Sequence, residues 1–395
     1  NEAPKLWLDA AAGKMDSIKQ FLQSGGNVDT RSKDTMWSLL HTASHSGQES
    51  VVALLVSAGA RLESEVEGRY NPLLLCCSCG SLENVACPVS KSDPEQRDVE
   101  DPHQSQECGH TKSARILVDA GASLESTTDQ LFTPLLIAAF NGKLRLVKCL
   151  VAAGACLEAK NKQHYTALGV AAQRGHATVL DFLLQSGADV EARTDTMLTP
   201  IMVAAQEGRA SEVGLLLGAG ADLEARNDRG CSPLALACDF GKAQVVPVLV
   251  DSGANLESRD RRGNTPLMHA SREGHADVVA VLLRAEADAT AINNERESSV
   301  ALAAKYGHRK VVVSLVDVGV DVNAANRRGF TPLLRAAEGG HTSTFQQVLV
   351  DRGALPHVAT NTGNTALLLA CERGHLDMAR HIIGEGADLE ASNTQ

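Results

Sequence analysis

The sequence comprises 395 residues, of which 44% are hydrophobic, 22% are charged and only 3% are aromatic. This apolar content excludes bulk disorder, and the length exceeds one ordinary hydrophobic core, so we expect several domains or an elongated array. The formal net charge of −11 excludes nucleic acid as an expected partner, because that binding requires a clustered basic surface. No apolar run approaches the roughly 18–20 residues that span a bilayer, so we expect a cytoplasmic protein without membrane insertion of this segment.

Three-residue head motifs, typically Thr-Pro-Leu, recur along the chain at steps of 33 or 34 residues. They begin at Pro4, Ser38, Asn71, Thr133, Thr166, Thr199, Ser232, Thr265, Ser298, Thr331 and Thr365. A fixed period of this length indicates a repeat architecture rather than several globular domains. The single large step, 62 residues between Asn71 and Thr133, indicates an insertion in the third unit, at residues 81–109.

Each unit carries the local signals of two short helices. The Thr or Ser of the head motif is a helix N-cap, and the Pro that follows it is tolerated in the first turn. A small pair such as Ala138-Ala139 permits close packing, and a Gly, often followed by His as in Gly175-His176, ends the helix. A second apolar stripe then predicts a second helix, and a segment such as 220–224 leads into an extended finger.

This pattern resembles the ankyrin repeat, whose unit of about 33 residues has a Thr-Pro-Leu-His-x-Ala core. The resemblance covers residues 1–395 apart from the insertion, with a degenerate first repeat at 1–33. It implies an all-α fold, an ankyrin-repeat solenoid of about eleven stacked helix-turn-helix units with hairpin fingers. It also implies a scaffold or adaptor that binds a partner protein in a concave groove. No catalytic motif is present, so we expect neither enzymatic activity nor a cofactor.

In the ankyrin family, two kinds of position face the groove: the residue before each head motif and the two residues before the Gly that ends the first helix. Of the two Trp, three Tyr and seven Phe in the chain, eight occupy such positions. Aromatic and Arg side chains are the usual energetic centres of protein recognition. The predicted partner-binding residues are therefore Trp37, Tyr70, Phe132, Phe140, Tyr165, Arg174, Phe240, Arg272, Tyr306 and Phe330. The alternative is that the rings at the finger bases pack against the neighbouring finger and hold the stack together.

The insertion at 81–109 carries three Pro and more acidic than basic residues, which predicts an acidic loop. It is either a tolerated surface insertion or a docking element. Cys79, Cys87 and Cys108 lie in or beside it, and thiolates together with His are good zinc ligands. Their irregular spacing, without a Cys-x-x-Cys pair, favours free thiols over a zinc site.

The remaining Cys and His residues of interest are predicted to be structural. Cys76, Cys77, Cys238 and Cys371 take the place of the small Ala pair, so we expect them to be buried. The His residues that follow the helix-ending Gly recur with the repeat, and we therefore assign them to the framework of the repeat.

The finger tips between the eighth and tenth repeats are basic. They carry Arg259, Arg261, Arg262, Arg327 and Arg328. Such a cluster attracts an acidic peptide, even in a chain whose net charge is negative.

Asn323 ends the finger sequence Leu-Val-Asp-Val-Gly-Val-Asp-Val-Asn, with Leu315 eight residues ahead. This sequence resembles the ankyrin hairpins accepted by asparaginyl hydroxylases. The resemblance makes Asn323 a candidate hydroxylation site, and the alternative is an ordinary finger Asn.

The last predicted finger, at 386–390, resembles an internal one and lacks a polar cap. We therefore expect the array to continue past residue 395, or a neighbouring subunit or domain to cover the C-terminal face. Two alternatives to a partner-binding scaffold stay open. One is a structural or cytosolic ankyrin array of a larger assembly or channel, and the other is a zinc-containing or enzymatic protein.

Overall fold

The computed structural model describes residues 3–78, 102–390 and 392–393. The chain divides into two compact units, Asn1–Asp195 and Thr196–Gln395. In both units the regular elements of the described residues are helices, and β-type pairing is limited to isolated bridges within the fingers. The all-α fold class predicted from the sequence is confirmed for this part of the chain.

The helices of the first unit come in successive pairs. Their bounds are α1 Ala3–Ala11, α2 Met15–Gln23, α3 Leu39–His45, α4 Glu49–Ser57, α5 Pro72–Ser78, α6 Pro102–Asp119, α7 Pro134–Phe140, α8 Leu144–Ala152, α9 Ala167–Arg174 and α10 Ala177–Gln185, with a 3₁₀ turn at Glu67–Arg69. Odd-numbered helices contact one another in series, and even-numbered helices form a second contacting series. The first unit is therefore a two-layered stack of helix pairs.

The second unit follows the same plan. Its helices are α11 Pro200–Glu207, α12 Ala210–Gly218, α13 Pro233–Asp239, α14 Val245–Asp251, α15 Pro266–Glu273, α16 Ala276–Arg284, α17 Ser299–Lys305, α18 Arg309–Asp317, α19 Pro332–Gly339, α20 Thr342–Thr344, α21 Ala366–Glu372 and α22 Leu376–Gly384. A π-helical turn, Phe345–Leu349, and a 3₁₀ turn, Val350–Arg352, continue α20. The irregular winding of this one second helix distinguishes it from the other even-numbered helices.

Most head motifs start the odd-numbered helices as side-chain N-caps, as predicted, but Thr199 makes no side-chain cap bond and α1 begins at Ala3, before the first motif. The Oγ1 of Thr133 accepts a hydrogen bond from the Leu136 N–H at 3.3 Å. The same bond is made by Thr166, Ser232, Thr265, Ser298, Thr331 and Thr365. Asn71 substitutes its Oδ1, which accepts from the Leu74 N–H at 2.9 Å. These bonds satisfy backbone donors that a helix leaves without partners at its start.

In the repeats where His follows the helix-ending Gly, its side chain joins the repeat to the preceding one. Nε2 of His275 donates to the carbonyl oxygen of Asp239 at 3.1 Å, and Nε2 of His308 donates to that of Arg272 at 2.9 Å. The equivalent bond, to a carbonyl 36 or 37 residues earlier, is made by His176, His341 and His375. These imidazoles are therefore part of the framework.

Glycine at the end of the first helix leaves the space that this His fills. Gly241 has a φ of 65°, and a Cβ added to it would lie 2.5 Å from the His275 ring. At Gly142 the corresponding distance to the His176 ring is 2.6 Å. The Gly thus supplies the left-handed backbone that ends one helix and the room for a side chain of the next repeat. This double requirement explains the Gly at the end of the first helix, and the ring that fills the space belongs to the following repeat.

The fingers are tied to one another by backbone hydrogen bonds near their tips. In the second unit, the Arg261 N–H donates to the Arg229 carbonyl and the Asn294 N–H donates to the Arg262 carbonyl, both at 3.0 Å. Each tip residue is therefore held at a defined position relative to the next finger. Side chains at the tips form a periodic row.

Two expectations differ from the structure. Helix α6 begins at Pro102, so residues 102–109 are helical rather than the end of a loop, and Pro is well tolerated in such a first turn. Residues 81–101 of the insertion lie outside the described residues. Cys371 is exposed, so the prediction of its burial is wrong; the described residues contain no later first helix that covers α21. Cys76, Cys77 and Cys238 are buried as predicted.

Replacement of His275 by Ala tests the bond between repeats. The substitution removes the donor to the Asp239 carbonyl and the ring that packs on Gly241. We expect the free energy of unfolding to fall by about 1–2 kcal/mol, measured by urea-induced unfolding with far-UV circular dichroism. His357→Ala is the control, because His357 is exposed. Equal unfolding midpoints for the two variants would contradict the assignment.

Candidate functional site

Trp37 lies inside the first unit rather than on a groove surface. Its ring is only 2% exposed and packs with Val66, Leu75 and the half-buried Tyr70. Its carbonyl oxygen accepts a hydrogen bond from Nε1 of Trp7 at 3.0 Å. The expectation of an accessible ring is not met at this position, because the ring packs against Val66, Leu75 and Tyr70.

Phe330 is also buried, at 8% exposure. The guanidinium of Arg335 lies over its ring, 4.2 Å from the centroid. Arg335 is itself paired with Glu297 and, at 2.7 Å, with Glu338. A buried ion-pair network therefore seals the ring, and Phe330 offers no surface to a partner.

Three other predicted rings meet in the first unit. Phe132 and Phe140 are in edge-to-face contact, with centroids 6.0 Å apart and planes at 89°. Together with Tyr70 they line a groove of about 380 Å³. The lining of this aromatic groove is Gly68, Tyr70, Ser78, Thr128, Asp129, Gln130, Phe132, Ile137, Phe140 and Asn141. The rings provide apolar surface and the remaining residues provide hydrogen-bonding groups.

Arg174 extends the aromatic groove toward the next repeat. Its guanidinium carbon stacks 3.8 Å from the centroid of the Phe140 ring, while the side chain remains exposed. Burial, with the nearby Asp129 carboxylate, raises the pKa of Tyr70, so its phenol is a neutral hydrogen-bond donor at physiological pH. Tyr165 is half-buried and is not part of the groove lining. The structure thus brings together four of the ten predicted residues.

Two predicted rings of the second unit are exposed, unlike Phe330. Phe240 and Tyr306 are 45% and 47% exposed. Arg272 is held by Asp239, whose Oδ1 is 2.6 Å from Nη2, and by Glu273, whose Oε1 is 2.7 Å from Nε. Its guanidinium has a fixed direction, whereas the two rings present apolar surface to solvent.

A buried charge network that the sequence analysis missed lies behind Arg272. Nδ1 of His269 is 3.1 Å from Oδ1 of Asp239, and its Nε2 is 3.2 Å from Oδ2 of Asp260. Burial alone would lower the pKa of His269, but the hydrogen bonds to Asp239 and Asp260 outweigh it and raise the pKa to about 10. His269 is therefore an imidazolium at neutral pH, between two carboxylates whose own pKa values are lowered.

Comparison with known protein families identifies the repeats. A family model described as ankyrin repeats, in three copies, matches residues 103–194, 201–293 and 300–393. The chain belongs to the ankyrin repeat family. Ankyrin repeats are in general protein-interaction modules. No curated protein matches the sequence, and none of the helices in the described residues is long and apolar enough to cross a membrane.

Two buried His residues of the ankyrin framework, His41 and His269, differ in their protonation state. His41 occupies the His position of the family's Thr-Pro-Leu-His core, in a capping box with Ser38, and its Nε2 lies 2.8 Å from the Ser64 carbonyl oxygen. Burial lowers its pKa to about 4. His269 stands one residue later, after Thr-Pro-Leu-Met, and takes the opposite charge state. This one-residue displacement is the sequence signal for the network, but the Asp239 partner lies one repeat earlier.

Cys231, Asp260 and His269 offer ligand atoms within 4.8 Å of one another, so their geometry is compatible with a metal ion. The electrostatics favour the ion-pair network instead. The imidazole carries a proton where a metal would bind, and the adjoining cavity is lined by four Arg residues. Those residues are Arg229, Arg261, Arg262 and Arg272. The side chains of the earlier zinc candidates, Cys79, Cys87 and Cys108, lie outside the described residues.

Asn323 uses both atoms of its side-chain amide to join two fingers. Nδ2 donates to the Gly353 carbonyl at 3.1 Å, and Oδ1 accepts from the Leu355 N–H at 2.9 Å. A modifying enzyme would have to open these contacts to bind the segment in extended form. Hydroxylation of Asn323 stays a prediction.

The charge of His269 predicts a pH-dependent contribution to stability. A pKa raised from 6.5 to about 10 means that the folded chain holds the proton more tightly. The stabilisation is complete below pH 6.5 and is lost as the pH rises toward 10. We expect the difference in melting temperature between the wild type and His269→Gln to shrink across this interval, measured by circular dichroism.

His41→Gln is the control for that experiment. The pKa of His41 is lowered to about 4, so this residue is neutral in the folded and unfolded chain above pH 6.5. Its difference in melting temperature should stay constant over the same interval. A constant difference for His269→Gln as well would contradict a buried imidazolium.

Proposed function

We propose that this ankyrin protein is a non-enzymatic scaffold or adaptor that binds a segment of a partner protein in the aromatic groove. The observation that carries the proposal is the convergence of Tyr70, Phe132 and Phe140 on one cavity of about 380 Å³, with Arg174 stacked at its edge. Rings that remain accessible after folding have apolar surface left for a second chain. Aromatic and Arg side chains are the residue types that dominate binding energy at protein interfaces.

The groove fits an extended segment with one large apolar side chain. The edge-to-face pair of Phe132 and Phe140 supplies the apolar wall, while Asn141 and Gln130 supply polar groups at the rim. The neutral Tyr70 phenol can donate a hydrogen bond to a carbonyl oxygen of the bound segment. Apolar contact provides the affinity in this arrangement, and the polar rim provides the orientation.

We extend the same proposal to the architecture and cellular context. The alternation of first and second helices supports eleven repeats, the first of them the pair α1 and α2 and the last the pair α21 and α22. Cytoplasmic localisation fits the free thiols of the described cysteines. Their chemistry also agrees with a non-catalytic role, since burial raises the pKa of Cys76 to about 12 and that of Cys238 further.

The groove is tested with the double substitution Phe132→Ala and Phe140→Ala. The partner is first captured from a lysate on the wild-type protein and identified by mass spectrometry, and its affinity is then measured by calorimetry. Each ring that anchors a partner contributes about 2 kcal/mol, so we expect the loss of both rings to raise the dissociation constant by about a hundredfold to a thousandfold.

Phe182→Ala is the matched control for this measurement. Phe182 is a half-buried Phe of the same unit that lies on the second helix α10, beside Lys148. We expect it to leave the affinity unchanged. Thermal unfolding of all variants shows whether the repeats remain folded, and a folded double variant with wild-type affinity would refute binding in the aromatic groove.

A further inference from the structure

Two adjoining cavities of the second unit share the same arginines. One has a volume of about 310 Å³ and the other about 470 Å³, and Arg261, Arg262 and Arg272 line both of them. The larger cavity also has Lys305 and Tyr306 in its wall. We call this pair of cavities the basic groove. It belongs to a different unit from the aromatic groove, so the ligand proposed for the aromatic groove does not account for it.

The arginines of the finger region fall into two groups with different roles. Arg226 and Arg259 bond to backbone: Nη1 of Arg259 donates to the Gly263 carbonyl at 3.1 Å and to the Ile292 carbonyl at 2.6 Å. They hold each finger to the next one. Arg259 was predicted to belong to the basic cluster, but these bonds assign it to the framework.

The second group, Arg261 and Arg262, lies at the finger tips, and among the described residues these side chains do not hold one finger to the next. Arg261 and Arg262 are exposed, and in the part of the chain that the structure describes neither makes an ion pair within 4.0 Å. Lys305 likewise has no carboxylate within that distance among the described residues, and its ammonium lies 5.5 Å from the Tyr306 ring. Two exposed arginines without an ion pair among the described residues therefore line one groove together with Lys305, whose charge also acts on the Glu338 carboxylate, in a chain with a net charge of −11.

The wall between the two cavities is rigid. Arg272 is held by Asp239 at 2.6 Å, and Asp239 is held in turn by the buried imidazolium of His269 at 3.1 Å. Oδ1 of Asp260 accepts from the backbone N–H groups of Arg262 and Asn264, at 2.8 and 2.7 Å. The finger that carries Arg261 and Arg262 is thus fixed from its base. A fixed finger backbone loses less conformational freedom when its arginines bind an anion.

We propose that the basic groove binds an acidic peptide segment, with Arg261, Arg262 and Lys305 contacting its carboxylates and Tyr306 packing against its backbone or an apolar side chain. The charge complementarity of Arg261, Arg262 and Lys305, which line one cavity, supports this occupant. The planar guanidinium groups match a carboxylate in bidentate geometry. The 47% exposure of the Tyr306 ring leaves apolar surface beside the cations.

A peptide fits the groove better than a nucleic acid does. Four acidic residues, Asp228, Asp260, Glu295 and Glu297, also line the cavities, and they interrupt the row of cations that a continuous phosphate backbone would require. A peptide places carboxylates at intervals and leaves room for these acids. The acidic chain as a whole repels a polyanion at longer range.

The experiment measures the fluorescence anisotropy of a fluorescein-labelled octaglutamate peptide on the full chain. We expect saturable binding that weakens as the salt concentration rises, because exposed ion pairs are screened. The double substitution Arg261→Glu and Arg262→Glu should weaken binding by about tenfold or more. The matched control, Arg284→Glu with Arg309→Glu, reverses two exposed arginines elsewhere in the unit and should leave binding unchanged.

Three further measurements decide the outcome. The Phe132→Ala and Phe140→Ala variant should bind octaglutamate normally, so a failure of the aromatic groove and a failure of the basic groove are distinguishable. Absence of octaglutamate binding, or equal loss in the groove and control variants, would overturn the proposal. Tighter binding of a labelled octauridylate with the same loss on Arg261→Glu and Arg262→Glu would replace the peptide with a nucleic acid.

Discussion

The coupling between successive repeats is reinforced by one recurrent interaction, the hydrogen bond from a His side chain to a carbonyl of the preceding repeat, in the repeats that carry His after the helix-ending Gly. A helix pair of this size cannot bury its apolar face alone, so its stability comes from its neighbours. The His275 ring fills the space above Gly241 and donates to the Asp239 carbonyl. The same carbonyl belongs to the residue whose carboxylate holds His269 and Arg272. The framework and the charge network are therefore joined at Asp239.

This framework restricts where function can reside. The N-caps, the pairs of small residues and the helix-ending glycines are required for the stacking of the repeats. The residue type differs between repeats at the finger tips and at the ends of the first helices. An aromatic ring at such a position is either buried by neighbouring side chains or left exposed to solvent. The Trp37 ring is buried against Val66 and Leu75, whereas Phe240 remains 45% exposed. The difference is set by which neighbouring side chain covers the ring.

The sequence predicted the helix pairs, their caps and their phase, because those depend on residues close together in the chain. It also predicted that Phe132, Phe140 and Arg174 lie on one surface. It did not predict the burial of Phe330, because the ring is sealed by an Arg335–Glu297 pair that spans two repeats. The same reason applies to His269, whose partner Asp239 is 30 residues away. Periodicity locates a column of positions, but the contacts between columns depend on the individual side chains that occupy them.

The charge of one surface region differs in sign from the net charge of this protein. The buried acids Asp239 and Asp260 form ion pairs with His269 and Arg272. Their negative charge therefore contributes little to the electrostatic potential at the surface of the second unit. Arg261 and Arg262 stand on the finger that Asp260 fixes and keep their full charge toward solvent. Pairing buried acids with buried cations therefore leaves the exposed cations uncompensated, and an overall acidic chain acquires a basic surface. Because the buried imidazolium neutralises one of the two carboxylates, its loss would return a negative charge directly behind these arginines.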